Sequence, residues 1–339
     1  MTTVVIAGIG GGSLGTEIAK SLRLAGGYRI VGCDVSPIAF GHYGGVCDVT
    51  HVLAHENYLS QLLAIVAAEA AEIIVPGAEE PTALLATAPD RLVAAGVKVA
   101  MNPPDLVARM MDKAGCFDEL ARLGIRVPRT IAITDPHAVA DVPLPCIVKP
   151  STDTGGSSSV SFARTLADVT LFAGLILRDG RRAIAQEYIG HEAGEFSVGV
   201  LSDLDGSVLG TIALRRAFPS KLSISAKGDG FLISSGISQG HIGPYQDVCE
   251  AARAISTAVG SRGPLNIQGR LDRDGRFVPF EINPRFSAST YLRALAGFNE
   301  IDYYIGRLLG QPREPLAINP GWYLRGLTEV VVSEAELRS

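Results

Sequence analysis

The first hundred residues alternate short apolar runs with longer segments of helical periodicity. The runs "TVVIAGI", "RIVGCDVS", "EIIVPGA" and "VKVAMN" predict four buried strands, because continuous apolar stretches of this length are typical of parallel sheets. The segments between them, such as "LGTEIAKSLRLAG", space their apolar residues as an amphipathic helix does. We therefore predict a doubly wound parallel α/β domain over residues 1–103.

After Pro103 and Pro104 the pattern changes to strands that are followed directly by turns. Residues 102–124 read as one helical segment that ends at Gly124. Two later stretches predict β-hairpins, with turns at Asp205-Gly206 and Asp274-Gly275. The second part of the chain is therefore predicted to be α+β, with antiparallel sheets.

The composition indicates a well-packed chain with two or three domains: 339 residues, of which 47% are hydrophobic and 19% are charged. The net charge of -5 and the absence of long Lys/Arg runs argue against a nucleic-acid-binding surface. The five cysteines include no C-x-x-C pair, no apolar run has transmembrane length, and the N-terminus lacks the basic segment of a signal peptide. We expect a cytoplasmic protein without nucleic-acid or membrane partners.

The hairpin around Asp274-Gly275 places candidate metal ligands on one face of a sheet. Asp-Gly favours a two-residue turn, which would pair Arg273 with Arg276. Counting outward from that pair gives two polar cross-strand pairs: Gln268 opposite Glu281, and Asn266 opposite Asn283. One carboxylate among carboxamide oxygens suits a hard cation such as Mg²⁺, which takes its other ligands from water and phosphate. The alternative is a hydrogen-bonded polar face at a sheet edge.

A lysine beside a Gly/Ser-rich loop is a candidate phosphate site. Lys149 ends the apolar strand "CIVKP" and precedes "STDTGGSSS", whose small residues let backbone N–H groups approach phosphate oxygens. The loop does not have the Walker A pattern. Lys113 lies on the preceding helical segment. Each feature alone would also fit a solvated loop or a solvated side chain.

Taken in order, these features resemble the ATP-grasp superfamily, and most closely its branch related to the carbamoyl-phosphate synthase large chain. They are Lys113, Lys149 with its loop, "QEYIGHEAGEFSVGV", Gln268 and "EINPR". The resemblance implies a core at residues 104–126 and 191–318, a mobile lid at 127–190 and a C-terminal extension at 319–339. Because the chain is a short, single-copy form, carbamoyl phosphate synthesis itself is not expected.

The resemblance also assigns roles to residues. It implies phosphate contacts from Lys113 and Lys149. The phosphate loop would contribute Thr154, Gly155, Gly156, Ser157 and Ser158. Glu187, Tyr188 and Ile189 would bind the adenine, and Glu195 would bind the ribose. Two Mg²⁺ ions, with Mn²⁺ as an alternative, would be held by Gln268, Glu281 and Asn283. Arg285 and Lys149 would act as catalytic residues on the transferred phosphate, and position in the chain adds Arg216, with Arg215 as its alternative.

Members of this superfamily activate a carboxylate with ATP, release ADP and transfer the acyl group. The resemblance therefore implies an ADP-forming, Mg-ATP-dependent carboxylate–amine ligase that acts through an acyl phosphate on amino-acid-like small molecules. A carrier-protein thiol is the alternative acceptor. Homodimers are common in the family, and the oligomeric state stays open.

The N-terminal sequence supports a competing interpretation. "GIGGGSLG" has G-x-G-x-x-G spacing between a strand and a helix, and Asp34 ends the second strand, as in dinucleotide-binding domains. This pattern favours an NAD(P)-dependent oxidoreductase. Under the ATP-grasp interpretation, the same domain packs against the ATP site and forms part of the substrate pocket with Glu79 and Glu80. A nucleotide sensor with an inactive ATP site is the third hypothesis.

Overall fold

The computed structural model describes residues 1–10, 14–139, 141–151, 159–219 and 221–337. The first hundred residues form a parallel sheet with the strand order β3-β2-β1-β4-β5. Its elements are β1 (Thr2–Ala7), α1 (Leu14–Ala25), β2 (Tyr28–Asp34), β3 (Val49–Val52), α2 (Tyr58–Ala68), β4 (Ile73–Pro76), α3 (Glu79–Ala86), α4 (Pro89–Ala94) and β5 (Lys98–Val99). Strand β3 was not predicted, because its run is short and includes polar residues.

Alternate residues of the central strand bury on opposite faces of this sheet. Val4 and Ile6 pack with α1, whereas Val5 and Ala7 pack with α2 and α3. Continuous apolar strands are what a sheet covered on both faces requires. The predicted doubly wound α/β domain is therefore confirmed.

The second part is built on a six-stranded antiparallel sheet with the order β16-β15-β10-β11-β14-β17. These strands are β10 (Glu195–Ser202), β11 (Val208–Arg216), β14 (Gly240–Ile242), β15 (Pro264–Leu271), β16 (Phe277–Asn283) and β17 (Gly321–Tyr323). The helices are α5 (Pro104–Met111), α6 (Lys113–Arg122), α8 (Gln246–Val259), α9 (Thr290–Leu295) and α10 (Glu300–Leu309), and a small hairpin joins β12 (Ile224–Gly228) to β13 (Phe231–Ser234). The predicted antiparallel α+β part is confirmed. The residues that we assigned to a C-terminal extension begin with a strand of this sheet.

A separate four-stranded sheet, with the order β6-β9-β7-β8, lies within the segment predicted to be the lid. It contains β6 (Thr130–Ile133), β7 (Cys146–Pro150), β8 (Ser161–Ala163), α7 (Leu166–Arg178) and β9 (Ala183–Glu187). On β7, Cys146 and Val148 pack with α7, and Ile147 and Lys149 face the other way. This alternation turns the lysine toward the core. In the described part of the chain, no helix is both long and apolar enough to cross a membrane.

Candidate functional site

A cavity of about 600 Å³ lies where the three parts of the chain meet. The parallel sheet contributes Gly77–Glu79, which follow β4. Strands β2 and β4 flank β1 on opposite sides, so the cavity borders the switch point of this sheet, where ligands of open α/β sheets bind. The lid sheet contributes β7 and β9, and the core contributes β15 and β16. A cavity of this size is typical of a small-molecule site.

The β15–β16 hairpin has the predicted pairing at its candidate ligands but a different turn. Gln268 pairs with Glu281, and the same register pairs the two asparagines. The turn contains three residues rather than two, because the Asp272 N–H donates to the Arg276 carbonyl. The prediction that Arg273 pairs with Arg276 is therefore wrong.

A bulge at Phe280 restores the predicted register. Gly269 pairs with Pro279 whereas Gln268 pairs with Glu281, so Phe280 is one extra residue on β16. A proline is tolerated here because β16 is the edge strand of its sheet. The bulge also explains why two consecutive residues, Phe280 and Glu281, both line the cavity.

Glu281 is an ionised carboxylate in the cavity wall. Burial raises its pKa, but the positive charges of Lys149 and Lys113 outweigh that effect and hold the pKa below its usual value. Asn283 and Arg285 lower it further. The amide nitrogen of Asn283 donates to Glu281 Oε1 at 3.0 Å, which leaves Asn283 Oδ1 as the atom that can bind a cation.

Lys149 connects the lid to the core beside this carboxylate. Its Nζ donates to Gln186 Oε1 at 2.8 Å and to the carbonyl of Phe280 at 3.2 Å. Burial lowers the pKa of Lys149 to about 8; Glu281 opposes this shift and Lys113 adds to it. The ammonium group is therefore largely charged at neutral pH, although the residue is buried.

Lys113 reaches the cavity because the predicted single helical segment is broken. The backbone is extended at Asp112, between α5 and α6, so Lys113 is the first residue of α6. Its N–H donates to the Ser151 carbonyl at 3.1 Å, and the Ser151 hydroxyl donates to Asp112 at 3.0 Å. These bonds place Lys113 at the end of β7. The predicted phosphate-loop residues Thr154, Gly155, Gly156, Ser157 and Ser158 lie outside the described residues.

The candidate metal ligands are one carboxylate and two carboxamides. Gln268 and Glu281 line the cavity, and Asn283 lies in a small adjoining cleft. Gln268 Oε1 lies 3.5 Å from Arg216 Nη1, too far for a strong hydrogen bond. Within the described ranges, no cluster of three or more His, Cys, Asp or Glu side chains could hold a metal by itself. This donor set fits Mg²⁺ that shares phosphate and water ligands, and it does not fit a tetrahedral zinc site.

Asn266 faces the same cavity but offers a donor rather than a ligand oxygen. Its Oδ1 accepts from Arg293 Nη2 at 2.9 Å and from the Ser197 hydroxyl at 3.1 Å. An arginine cannot accept a hydrogen bond, so the atom that faces it must be the carboxamide oxygen. Arg293 is held in turn by Glu300, which also accepts from Thr290. The amide nitrogen of Asn266 is thus the group available to the cavity.

Arg285 and Glu79 join the core to the N-terminal domain. Arg285 Nη2 lies 3.3 Å from Glu79 Oε1, and both residues line the cavity. Glu79 is the first residue of α3. Burial raises its pKa, and the charges of Arg285 and Lys113 oppose the increase. An acidic group therefore stands at the carboxyl edge of the parallel sheet.

The predicted adenine segment lines the cavity, and the carboxylate of Glu187 is already engaged by backbone. The Glu187 carboxylate accepts from the backbone N–H of Arg129 at 3.1 Å, so the lid backbone engages it. Tyr188 Oη accepts from the Leu232 N–H at 2.9 Å, which ties this segment to β13. Apolar walls for a base come from residues of both the lid and the core: Ile147, Ile189 and Phe280.

Two predicted site residues lie beneath the cavity wall. Glu195 is fully buried, with Arg270 Nε donating to one carboxylate oxygen at 2.8 Å and Arg216 3.3 Å from the other. The prediction that Glu195 holds a ribose is not supported by this geometry. Arg216 donates to the carbonyls of Ser235 at 2.8 Å and Ile237 at 3.1 Å. Its guanidinium thus holds a loop in place, and a direct catalytic contact is not supported.

That loop was missed by the sequence analysis. Residues 234–238, "SSGIS", line the cavity at the end of β13. Their Gly/Ser content was an available signal, but it has the same ambiguity as any short surface loop. Arg270, which also lines the cavity, carried no signal because a strand arginine is usually solvated.

Asp34 is bonded to backbone at the start of the N-terminal turn, and residues 11–13 of the predicted G-x-G-x-x-G pattern lie outside the described residues. Asp34 accepts from the backbone N–H of Ile9 at 2.8 Å and of Ser36 at 3.0 Å. Gly41 N–H donates to the Ile9 carbonyl at 3.0 Å, so a following segment packs on the turn. The carboxylate that would bind a ribose is therefore engaged by backbone, which disfavours the NAD(P) interpretation.

The structure has a parallel α/β domain, a lid sheet and an antiparallel core. Together they enclose two lysines and a carboxylate–carboxamide pair. This is an ATP-grasp architecture. Residues 182–330 match the family model described as "ATP-grasp in the biosynthetic pathway with Ter operon". Over these residues the chain is similar to ATP-grasp domains, as the sequence resemblance predicted.

Relatives and solved structures agree with this assignment. The carbamoyl phosphate synthase large chain of Rhodopirellula baltica is 25% identical over 296 residues, which cover 83% of this chain but only 26% of the relative. The ADP complex of PurK, N5-carboxyaminoimidazole ribonucleotide synthetase, matches with a TM-score of 0.70 and 16% identity, over 94% of this chain and 80% of that one. An L-amino acid ligase from Bacillus licheniformis matches with a TM-score of 0.68 and 14% identity, over 90% and 73%. These structural matches show a shared fold.

Proposed function

We propose that the protein is an ADP-forming, ATP-dependent carboxylate–amine ligase that acts through an acyl phosphate on amino-acid-like small molecules. The observation that carries this proposal is the ionised Glu281 on the core, next to Lys149 of the lid. A carboxylate that binds Mg²⁺ and a lysine that binds phosphate are both needed around the terminal phosphates of ATP.

In the proposed first step, a substrate carboxylate oxygen attacks the γ-phosphorus of ATP. The bond from that phosphorus to ADP breaks, which gives an acyl phosphate and ADP. Mg²⁺ bound by Gln268, Glu281 and Asn283 would neutralise phosphate charge. Lys149 and Arg285 add positive charge, which allows two anions to approach each other.

The carboxylate substrate would be oriented by Asn266. Its amide N–H groups face the cavity because Arg293 and Ser197 occupy its oxygen. Neutral donors suit a carboxylate that must stay nucleophilic, because a full positive charge at that position would lower its reactivity. We therefore assign Asn266 to the acid substrate rather than to the metal.

The acceptor amine would bind at Glu79. Arg285 lies 3.3 Å from this carboxylate and is also close to the proposed phosphate site. When Arg285 turns to a phosphate, Glu79 becomes available to hold an ammonium group and to take its proton. The amine nitrogen then attacks the acyl carbon, the bond from that carbon to the phosphate oxygen breaks, and the second nitrogen proton passes to the released phosphate, which gives an amide and inorganic phosphate.

The test is a phosphate-release screen with Mg-ATP over amino acids and small carboxylates, alone and in pairs. We expect one pair to stimulate release, and the Glu281→Gln variant to lose that stimulation while it remains folded. A thiol acceptor tested with the same acid decides between the amine and the carrier-protein alternative. Undiminished turnover in Glu281→Gln would refute the proposal.

A further inference from the structure

Glu195 and Arg270 form a direct cross-strand pair under the nucleotide cavity. Glu195 begins β10 and lies opposite Arg270 of β15 in the antiparallel ladder. Residues directly opposite each other share a face, so the arginine covers the carboxylate. Glu195 is fully buried and Arg270 lines the cavity. The cation is thus the member of the pair that a ligand can reach.

Arg270 is also fixed to the segments that enclose the adenine end. Nη1 donates to the Ile189 carbonyl at 2.7 Å, and Nη2 donates to the Leu232 carbonyl at 2.7 Å. The guanidinium lies 5.0 Å from the ring centre of Tyr188 and 5.5 Å from that of Phe280. These contacts restrict its rotation, so its position does not depend on a bound ligand.

We propose that Arg270, rather than Glu195, contacts the ribose hydroxyls of the nucleotide. This inference rests on nucleotide binding at the proposed ATP site. A guanidinium has five N–H groups, and within the described residues its hydrogen-bond acceptors are Glu195 and two backbone carbonyls. A donor therefore remains for the cavity. With Arg270 in place of Glu195 as the contact residue, the direction of the hydrogen bond reverses, because a ribose hydroxyl donates to a glutamate but accepts from an arginine.

The experiment measures calorimetric binding of ADP, 2′-deoxy-ADP and 3′-deoxy-ADP to wild-type protein and to Arg270→Lys. Lysine keeps the charge beside Glu195, but its ammonium group has only three N–H donors and cannot serve Glu195, the two carbonyls and a ribose hydroxyl together. We expect wild type to bind ADP about tenfold more tightly than at least one deoxynucleotide, the size expected for one hydrogen bond to a charged group. In Arg270→Lys that preference should fall to about threefold or less. Arg276→Lys, an exposed change in the same hairpin, is the matched control and should keep the preference.

Two outcomes overturn the proposal: a wild type that binds the three nucleotides equally, and an Arg270→Lys variant that keeps the wild-type preference. The double variant Arg270→Met with Glu195→Gln is the second protein should lysine disturb the fold, because it removes the buried charge together with its partner; the expectation is the same. Because binding needs no substrates, the two proposals fail separately. A protein that prefers ADP but releases no phosphate in any substrate pair is not a ligase, yet it retains the Arg270 contact.

Discussion

The glycine-rich turn after β1 and the β15–β16 hairpin both have nucleotide-binding patterns in the sequence, but their polar groups have different surroundings. In the turn, the Asp34 carboxylate is engaged by two backbone N–H groups. In the hairpin, Glu281 is surrounded by cations and faces a cavity. A motif residue is less available to a ligand when the fold already engages its polar atoms. Substitutions at the two places should therefore have opposite effects on activity and stability.

The largest effect is expected for Glu281→Gln. It removes the charge that binds Mg²⁺, so kcat should fall by about 10³-fold or more in a phosphate-release assay. Thermal unfolding should change little, because glutamine keeps the shape and can still accept from Asn283. A variant with normal turnover would show that the hairpin is a structural polar face, as the alternative interpretation of the sequence holds.

Lys149→Met should lower ADP affinity by about 10²-fold, because a buried cation beside the phosphates is lost. The ADP affinity of the wild type should depend on pH, since the pKa of Lys149 is lowered to about 8 from 10.5. Wild-type affinity should weaken as pH rises above about 8, and the variant should show no such dependence. Calorimetry at several pH values measures both. Equal pH profiles for the two proteins would contradict a phosphate contact.

The lowered pKa of Lys149 also predicts whether the free energy of unfolding rises or falls with pH. Between pH 8 and 10.5 the folded state holds fewer protons at Lys149 than the unfolded state does. Stability rises with pH wherever the unfolded state binds more protons, so wild type should gain stability relative to Lys149→Met across this window. Urea denaturation at pH 7.5 and pH 9.5 tests the sign, and a relative loss would contradict it.

Much of the fold could be predicted from the sequence, because apolar runs and helical spacing are local signals. The pairing of Gln268 with Glu281 was also predicted, but two errors cancelled: the turn has one residue more than predicted, and the bulge at Phe280 compensates. Whether a ligand can contact Glu195 could not be predicted, because Arg270, which is 75 residues away in the chain, bonds to its carboxylate. Sequence patterns identify candidate groups, whereas the fold determines which neighbours already engage them.

Asp34→Ala should destabilise the protein without affecting the proposed reaction. It leaves the N–H groups of Ile9 and Ser36 without their acceptor, which should cost about 1–3 kcal/mol in the free energy of unfolding. Urea denaturation measures the loss, and ADP binding and phosphate release should stay at wild-type levels in the folded protein. If nucleotide binding were lost instead, the N-terminal turn would be a ligand site and the dinucleotide interpretation would return.

The smallest effect is expected for Gly275→Ala, which tests whether the turn or the bulge sets the hairpin register. Gly275 has a φ of +77°, so alanine should cost about 1 kcal/mol in the free energy of unfolding. Gly206→Ala is the control, because Gly206 has a φ of +91° in the β10–β11 turn and alanine there is strained in the same way, away from the site. If the bulge at Phe280 fixes the register, both variants lose similar stability in urea and both retain wild-type kcat. A loss of turnover in Gly275→Ala alone would mean that the turn positions Glu281.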